Sequence, residues 1–288
     1  MIYDFIIYGN GLSSKLLALA LSKSNFKSLI IADKNHKTEE TNLVTFLSEG
    51  SLKYMSEVLD ITNIFPESEI IEKLHCEYFN SKKETKLEFN NHNDSILGKI
   101  VPNIIIDKFL NKKILSNSEY IHISEHYEII PKIDNNRITI TDKSGKIKSA
   151  RLLFYSGSRQ DNELLKNFNF VGKKLDQVAI SASVNVKRIQ KNLAYQLFTK
   201  DGPIALLPVQ NDVASVVWSL SKDSNILNLS QNDLESNLNK LFENHVSELK
   251  IKNMQTQKLS FSYAKKMYHD KTVLIGNVAH NIHPIAGQ

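Results

Sequence analysis

The opening of the chain constrains its fold more than any other stretch. An apolar run from Tyr3 to Tyr8 meets Gly9-Asn10-Gly11 directly, and the apolar segment Leu16 to Leu21 follows. Leu29-Ile30-Ile31 then leads to Asp33. This order predicts strand, glycine turn, helix and strand, one βαβ unit over residues 2 to 34. Gly9 suits a tight turn, and Gly11 suits close approach of the backbone to a pyrophosphate. Ser14 holds the third position, where a small residue lets helix and strand pack closely. Phosphates would rest on the amides that open the helix. Asp33 follows Gly11 by 22 residues and is placed to accept from a ribose hydroxyl. Glycines alone signal little, since a glycine turn with no ligand has the same letters. The βαβ context favours dinucleotide binding. The helix is predicted to be buried all round, because Leu16 to Leu21 is apolar on every side.

Further on, a helix is predicted from Ser48 to Val58, and strands over 74 to 89 flank a polar turn at Asn80-Ser81-Lys82-Lys83. Ile104, Ile105, Ile106, Phe109, Leu110 and Ile114 have helical spacing despite their β-branched members. Residues Ile129 to Ile147 read as hairpins, with turns at Asp134-Asn135-Asn136 and Lys143-Ser144-Gly145. Leu152 to Tyr155 is a strand that stops at Ser156-Gly157. Beyond it, Val178, Ile180, Ala182, Val184 and Val186 alternate on one face, and strands follow at Ala205 to Pro208 and Val213 to Leu220. Such half-buried strands predict a second, antiparallel domain. A helix is predicted from Ser230 to His245, with Ser230 and Asp233 as its capping signal. Thr272 to Ile275 is a last strand before Gly276-Asn277.

Composition removes several function classes. The 288 residues carry 36 Lys and Arg against 31 Asp and Glu, a formal net charge of +5. Only four of the basic residues are Arg, and no dense basic stripe is interleaved with aromatics, so nucleic acid is not expected as a partner. Cys76 is the only cysteine, which excludes an internal disulfide and a thiolate metal cluster, and its surroundings read as a strand. His280 and His283 lie three apart without a carboxylate or cysteine at usable spacing, so no metal is expected there. The N-terminus reads as a strand, not a signal peptide, and no run of 18 apolar residues occurs. The expected location is the cytoplasm, with peripheral association at the inner face of the membrane left open.

Three stretches carry a resemblance to a known family. They are Asp4-Phe5-Ile6-Ile7-Tyr8-Gly9-Asn10-Gly11, then Phe198-Thr199-Lys200-Asp201-Gly202-Pro203-Ile204-Ala205-Leu206-Leu207-Pro208 with Val217-Trp218, and Gly276-Asn277-Val278-Ala279-His280-Asn281-Ile282-His283-Pro284-Ile285-Ala286-Gly287-Gln288. In that order the chain resembles the FAD-dependent aromatic hydroxylases, in the branch of the ubiquinone-biosynthesis ring hydroxylases. The resemblance implies the para-hydroxybenzoate hydroxylase fold: an α/β, Rossmann-like FAD-binding domain with an inserted antiparallel-sheet substrate domain. The expected division assigns 1–74, 98–158 and 268–288 to the FAD-binding domain, and 75–97 and 159–267 to the substrate domain.

By the family's pattern, Asn277 contacts the ribityl and pyrophosphate region of FAD. His283-Pro284 and Ala286-Gly287-Gln288 form a loop beside the isoalloxazine ring. The implied cofactor set is Gly9, Gly11, Ser14, Asp33, Gly157, Gly276, Asn277, Ala286, Gly287 and Gln288, with His283 and Pro284 as the flavin-side catalytic loop. The chain departs from the pattern at several points. Ser156 stands where the second FAD motif has Asp, and Gln160 where it has Ser. No Arg occurs over 42 to 47, while Pro102 and Ile104 flank Asn103 in place of an acidic and a basic residue. The family continues beyond Gly-Gln into a further helix, so the expectation is a C-terminally truncated member.

The implied activity is hydroxylation of the aromatic ring of a polyprenylated phenol, with FAD as cofactor, NAD(P)H as transient reductant and O2 as co-substrate. A quinone-biosynthesis complex is an implied partner. Two other readings stay open: a noncatalytic accessory or scaffold relative, and another FAD oxidoreductase of the same fold, such as a prenyl reductase.

Overall fold

The computed structural model describes residues 2–32, 43–80, 83–91, 95–124, 132–134, 136–141, 145–159 and 163–282. Strand β1 (Phe5–Tyr8) enters helix α1 (Leu12–Lys23) and returns as β2 (Ser28–Ile31). Next come β3 (Val44–Ser48), α2 (Glu49–Leu59), β4 (Glu69–Ile71), β5 (Lys73–Asn80), β6 (Lys83–Asn90), β7 (Gly98–Pro102) and α3 (Asn103–Leu115). Strands β8 (Ile121–Ser124), β9 (Lys132–Asp134), β10 (Arg137–Thr141), β11 (Ile147–Ala150) and β12 (Leu152–Tyr155) complete the first half. The second half holds β13 (Phe170–Lys187), β14 (Leu193–Thr199), β15 (Gly202–Gln210), β16 (Val213–Ser221), α4 (Gln231–Leu241) and β17 (Glu248–Ala264). Strands β18 (Tyr268–His269), β19 (Thr272–Leu274) and β20 (His280–Asn281) close it.

The first sheet has the order β18-β19-β12-β1-β2-β8. Its five inner-register strands β19, β12, β1, β2 and β8 are parallel, and β18 pairs antiparallel at the edge. Their short apolar runs make sense because both faces are covered. Ile7 and Ile30 pack with Ala18, Leu19, Ile106 and Leu110 from α1 and α3. On the other face Ile6, Leu29, Ile31 and Leu153 meet Ile138 and Ile140 of β10. Each such isoleucine contributes about 1.5–3 kcal/mol by burial.

The second large sheet is β20-β17-β13-β16-β15-β14-β5-β6. One face carries Ile180, Leu206, Val216 and Trp218 against Leu234, Leu238 and Phe242 at and just beyond α4. Part of the other face, at Ala194, Ala205 and Leu207, packs on Ile71 and Ile100 of a small sheet ordered β3-β7-β4. The chain thus has an α/β layer joined to a large antiparallel-rich sheet, the expected fold class.

Two local expectations need correction. Helix α1 is not apolar and buried all round. Its buried stripe runs through Ser14, Lys15, Ala18, Leu19 and Ser22, and small or polar residues hold four of these five positions. Helix α4 starts where expected, with the Ser230 hydroxyl accepting from the Asp233 amide, but it ends at Leu241 and not at His245. The apolar strands β15 and β16 face packed protein at Leu206, Leu207 and Val216, so their hydrophobicity reflects core formation. Of the predicted turns, Ser81, Lys82, Asn135, Lys143 and Ser144 lie outside the described residues, as do Ile129 and Ile130 of the predicted hairpins.

Candidate functional site

Parallel strands deliver their carboxyl ends to one edge of the sheet, and the crevice there is where open α/β sheets take ligands. β1 ends at Gly9, β12 at Ser156-Gly157, and β19 at Ile275-Gly276. The joins are pinned by backbone bonds. The Gly9 amide donates to Ile31 O at 2.8 Å, the Ser156 amide to Tyr8 O at 2.8 Å, and the Ile275 amide to Tyr155 O at 2.9 Å.

Gly9 has φ +103°, and a Cβ there would lie 3.1 Å from the carbonyl carbon of Ser156. The conformation and the close approach both require glycine. Gly276, at φ +64°, would place a Cβ 3.5 Å from Ser13 Oγ and 3.6 Å from Ser156 Oγ. Three chain segments far apart in sequence therefore converge within a few ångströms. Gly157 is fixed by a different contact. A Cβ there would lie 2.4 Å from the Tyr8 ring, which stacks on Tyr155 with centroids 5.0 Å apart.

Gly11 is the N-cap of α1 and supplies no side-chain bond to the helix amides. Among the described residues other than its chain neighbours, no atom lies within 4 Å of where its Cβ would be. The helix therefore presents uncapped N–H groups toward open space, a setting that suits an anion. Two polar atoms beside it, Asn10 Oδ1 and Ser14 Oγ, are buried with no hydrogen-bond partner among the described residues. Buried polar atoms ordinarily have partners. A positive-φ glycine, an uncapped helix start, an open Gly11 and the unpartnered Ser14 hydroxyl, which can donate, fit the pyrophosphate end of FAD.

Of the predicted site residues, the structure brings Gly9, Gly11, Ser14, Gly157 and Gly276 to this edge. Asn277 follows in a short turn, Gly276–Val278, and its side chain is exposed. Asp33, His283, Pro284, Ala286, Gly287 and Gln288 lie outside the described residues, as does Gln160.

Sequence reasoning missed several contributors. Arg159 donates from Nη2 to Val278 O at 2.6 Å, and its guanidinium lies 4.1 Å from the Phe170 ring centroid. It ties the loop after β12 to the turn after β19, and burial disfavours its charged form, lowering its pKa. Its signal was available, since Arg is rare in this chain. Lys15, buried in α1, pairs with Asp107 of α3. The departures near residues 42–47 and 102–104 prove to be neighbours: β3 and β7 pair Val44 with Pro102 and Thr45 with Val101. Thr45 Oγ1 donates to Asn103 Oδ1 at 2.7 Å, so the absent basic and acidic residues leave neither partner stranded.

Comparison with known proteins agrees with this geometry. Residues 164–288 match a family described as an FAD binding domain. Across the whole chain, the sequence is 22% identical to the mouse protein named ubiquinone biosynthesis monooxygenase COQ6, mitochondrial, covering 72% of that protein. It is 28% identical over 151 residues to the 3-demethoxyubiquinol 3-hydroxylase of Escherichia coli, covering 51% of this chain and 38% of that one. Among solved structures, Pseudomonas aeruginosa PqsL in complex with 2-aminobenzoylacetate superposes with a TM-score of 0.80 at 14% identity, covering 100% of this chain and 82% of that one.

By fold the chain is similar to PqsL, and its residues 164–288 carry the match to the FAD binding domain. The strand edge and the uncapped α1 are suited to the phosphate end of such a cofactor. Among the described residues, no helix is long and apolar enough to cross a membrane, and no cluster of three His, Cys, Asp or Glu side chains is arranged to hold a metal.

Proposed function

We propose that this chain binds FAD at the carboxyl edge of β19, β12 and β1 and hydroxylates the aromatic ring of a polyprenylated phenol in ubiquinone biosynthesis. The carrying observation is the convergence of Gly9, Ser156 and Gly276 around the uncapped start of α1. The names of the mouse and bacterial relatives support the substrate class. When bound, FAD reduced by NAD(P)H supplies the oxygen-activating chemistry.

The chain's own residues bind and orient. The α1 amides and Gly11 hold the phosphates. Gly276 keeps the turn before Asn277 close to Ser13, and Asp33 is assigned to the ribose. Ala286, Gly287, Gln288, His283 and Pro284 are assigned to the flavin-side loop. The proposed division keeps 1–74, 98–158 and 268–288 for cofactor binding, and 75–97 with 159–267 for substrate. That arrangement lets the large sheet exclude water from the reacting ring.

Incubating the chain with FAD, NAD(P)H, O2 and a prenylated phenol tests the proposal. A product with one added oxygen supports it. Substrate recovered unchanged, with FAD bound, favours the noncatalytic reading. A reduced prenyl chain favours the reductase reading. Ser156, in place of the acidic residue of the second motif, is the observation that keeps the noncatalytic reading in view.

A further inference from the structure

Arg159 lies where four separate parts of the chain meet. Its Nη2 donates to Val278 O at 2.6 Å, and its guanidinium rests 4.1 Å from the Phe170 ring centroid. Phe170 opens β13 and pairs with Ala264 at the end of β17. The Ala264 amide donates to Ala279 O at 2.8 Å, and Ala279 follows Val278 in the chain. Arg159, Val278, Ala279, Ala264 and Phe170 therefore close a ring of contacts. The ring joins the loop after β12, the turn after β19 and two strands of the large sheet.

The turn Gly276–Val278 leans on that ring. It has no side-chain cap, and the Ala279 amide closes it by donating to Gly276 O at 3.0 Å. Val278 and Ala279 are buried, so a carbonyl there needs a donor from the protein. Arg159 supplies it. A planar guanidinium can donate in its plane while its face covers an aromatic ring, which suits Arg to this place. Between Gly276 and Val278 stands the exposed Asn277. Gly276 itself would place a Cβ 3.5 Å from Ser13 Oγ, so any displacement of the turn is carried to the start of α1.

We infer that Arg159 is a positioning residue for the cofactor: it fixes the Gly276–Val278 turn, and Asn277 within it, against the edge that takes FAD. This rests on the FAD reading above. Arg159 acts through the turn, while the surrounding fold is kept by Tyr155, Leu165, Phe168 and Leu274, which pack with Val278 and Ala279.

The test is an FAD titration of the full chain, followed by flavin fluorescence and by visible circular dichroism of the bound flavin. Arg159→Met removes the donor and keeps an apolar chain over Phe170, whereas Arg159→Lys keeps a charge and a donor. Arg151→Met is the control, removing one positive charge from an exposed residue at the opposite end of β12. Arg159→Met is expected to weaken FAD binding at least about tenfold and to alter the flavin dichroism, with the chain still folded by far-ultraviolet dichroism. Arg159→Lys is expected to recover most of the loss, and Arg151→Met to match wild type. Wild-type affinity and flavin dichroism in Arg159→Met overturn the assignment but leave FAD binding standing. No FAD binding by wild type overturns both. Equal falls in melting temperature and FAD affinity, with Arg159→Lys no better than Arg159→Met, assign Arg159 to folding alone and overturn its positioning role. If Arg159→Met does not fold, Phe170→Leu breaks the ring at its other contact. That variant is expected to bind FAD about threefold more weakly with altered dichroism, and wild-type behaviour there overturns the assignment.

Discussion

Lys15 Nζ lies 2.5 Å from Asp107 Oδ1, joining the helix that opens the cofactor crevice to α3 behind it. Their side chains are 5% and 16% exposed, and Asn111 Nδ2 also donates to Asp107, at 3.0 Å. Asp107→Ala would strand a buried ammonium and should destabilise the chain by about 3–5 kcal/mol. Lys15→Met should cost less, because Asn111 and water still serve the carboxylate. The double variant Lys15→Met/Asp107→Leu should recover much of the loss. Urea unfolding of wild type and the three variants measures these losses.

Gly9 and Gly11 should separate folding from ligand binding. Gly9→Ala meets both a positive φ and the Ser156 backbone, and it should cost about 1–3 kcal/mol of stability as well as FAD affinity. Gly11 has φ −69° and open space around its Cβ direction. Gly11→Ala should therefore keep stability within about 0.5 kcal/mol yet weaken FAD binding at least tenfold. Thermal melts and flavin titration on the same preparations decide this.

Lys99 provides a pH signature. Its Nζ donates to Ile64 O and Phe65 O, each at 3.0 Å, in a turn where Phe65 has φ +52°. Lys99→Met leaves two carbonyls without their donor and should cost about 1–3 kcal/mol. Burial lowers the Lys99 pKa, so the unfolded chain binds this proton more tightly. The contribution from this shift is present above the ordinary lysine pKa and is lost as pH falls through the lower folded value. Denaturation at several alkaline pH values should show stability rising less steeply in the methionine variant.

Much of the fold was legible because its core follows simple periods. The runs at Ile6, Ile7 and Leu29–Ile31 are continuous since both faces are covered, and β13 alternates since one face meets α4. Strand β17 was not legible. Its centre, from Lys252 to Lys258, is exposed and polar, and pairing with β13 makes it a strand. Strand β14 was hidden for the opposite reason: Leu193 to Leu197 is buried on both faces and shows no alternation. In the site, glycine spacing singled out Gly9 and Gly11, and the family resemblance singled out Gly276. Nothing local linked Arg159 to Val278 or Lys15 to Asp107, which lie more than ninety residues apart.

Cys76 reports on the packing of β5. Burial pushes its thiol pKa up, so less thiolate forms at a given pH. Iodoacetamide should label folded protein more slowly than urea-unfolded protein at pH about 8, the gap narrowing as pH rises past the ordinary thiol range. Equal rates at pH about 8 would count against the described burial.

The central claim is that the edge formed by Gly9, Gly11 and Gly276 holds FAD. Titrating the purified chain into FAD, while following flavin fluorescence and visible absorbance, tests it most directly. The account predicts saturable one-to-one binding that Gly11→Ala weakens without unfolding the chain. A folded chain that leaves FAD fluorescence unchanged would contradict it.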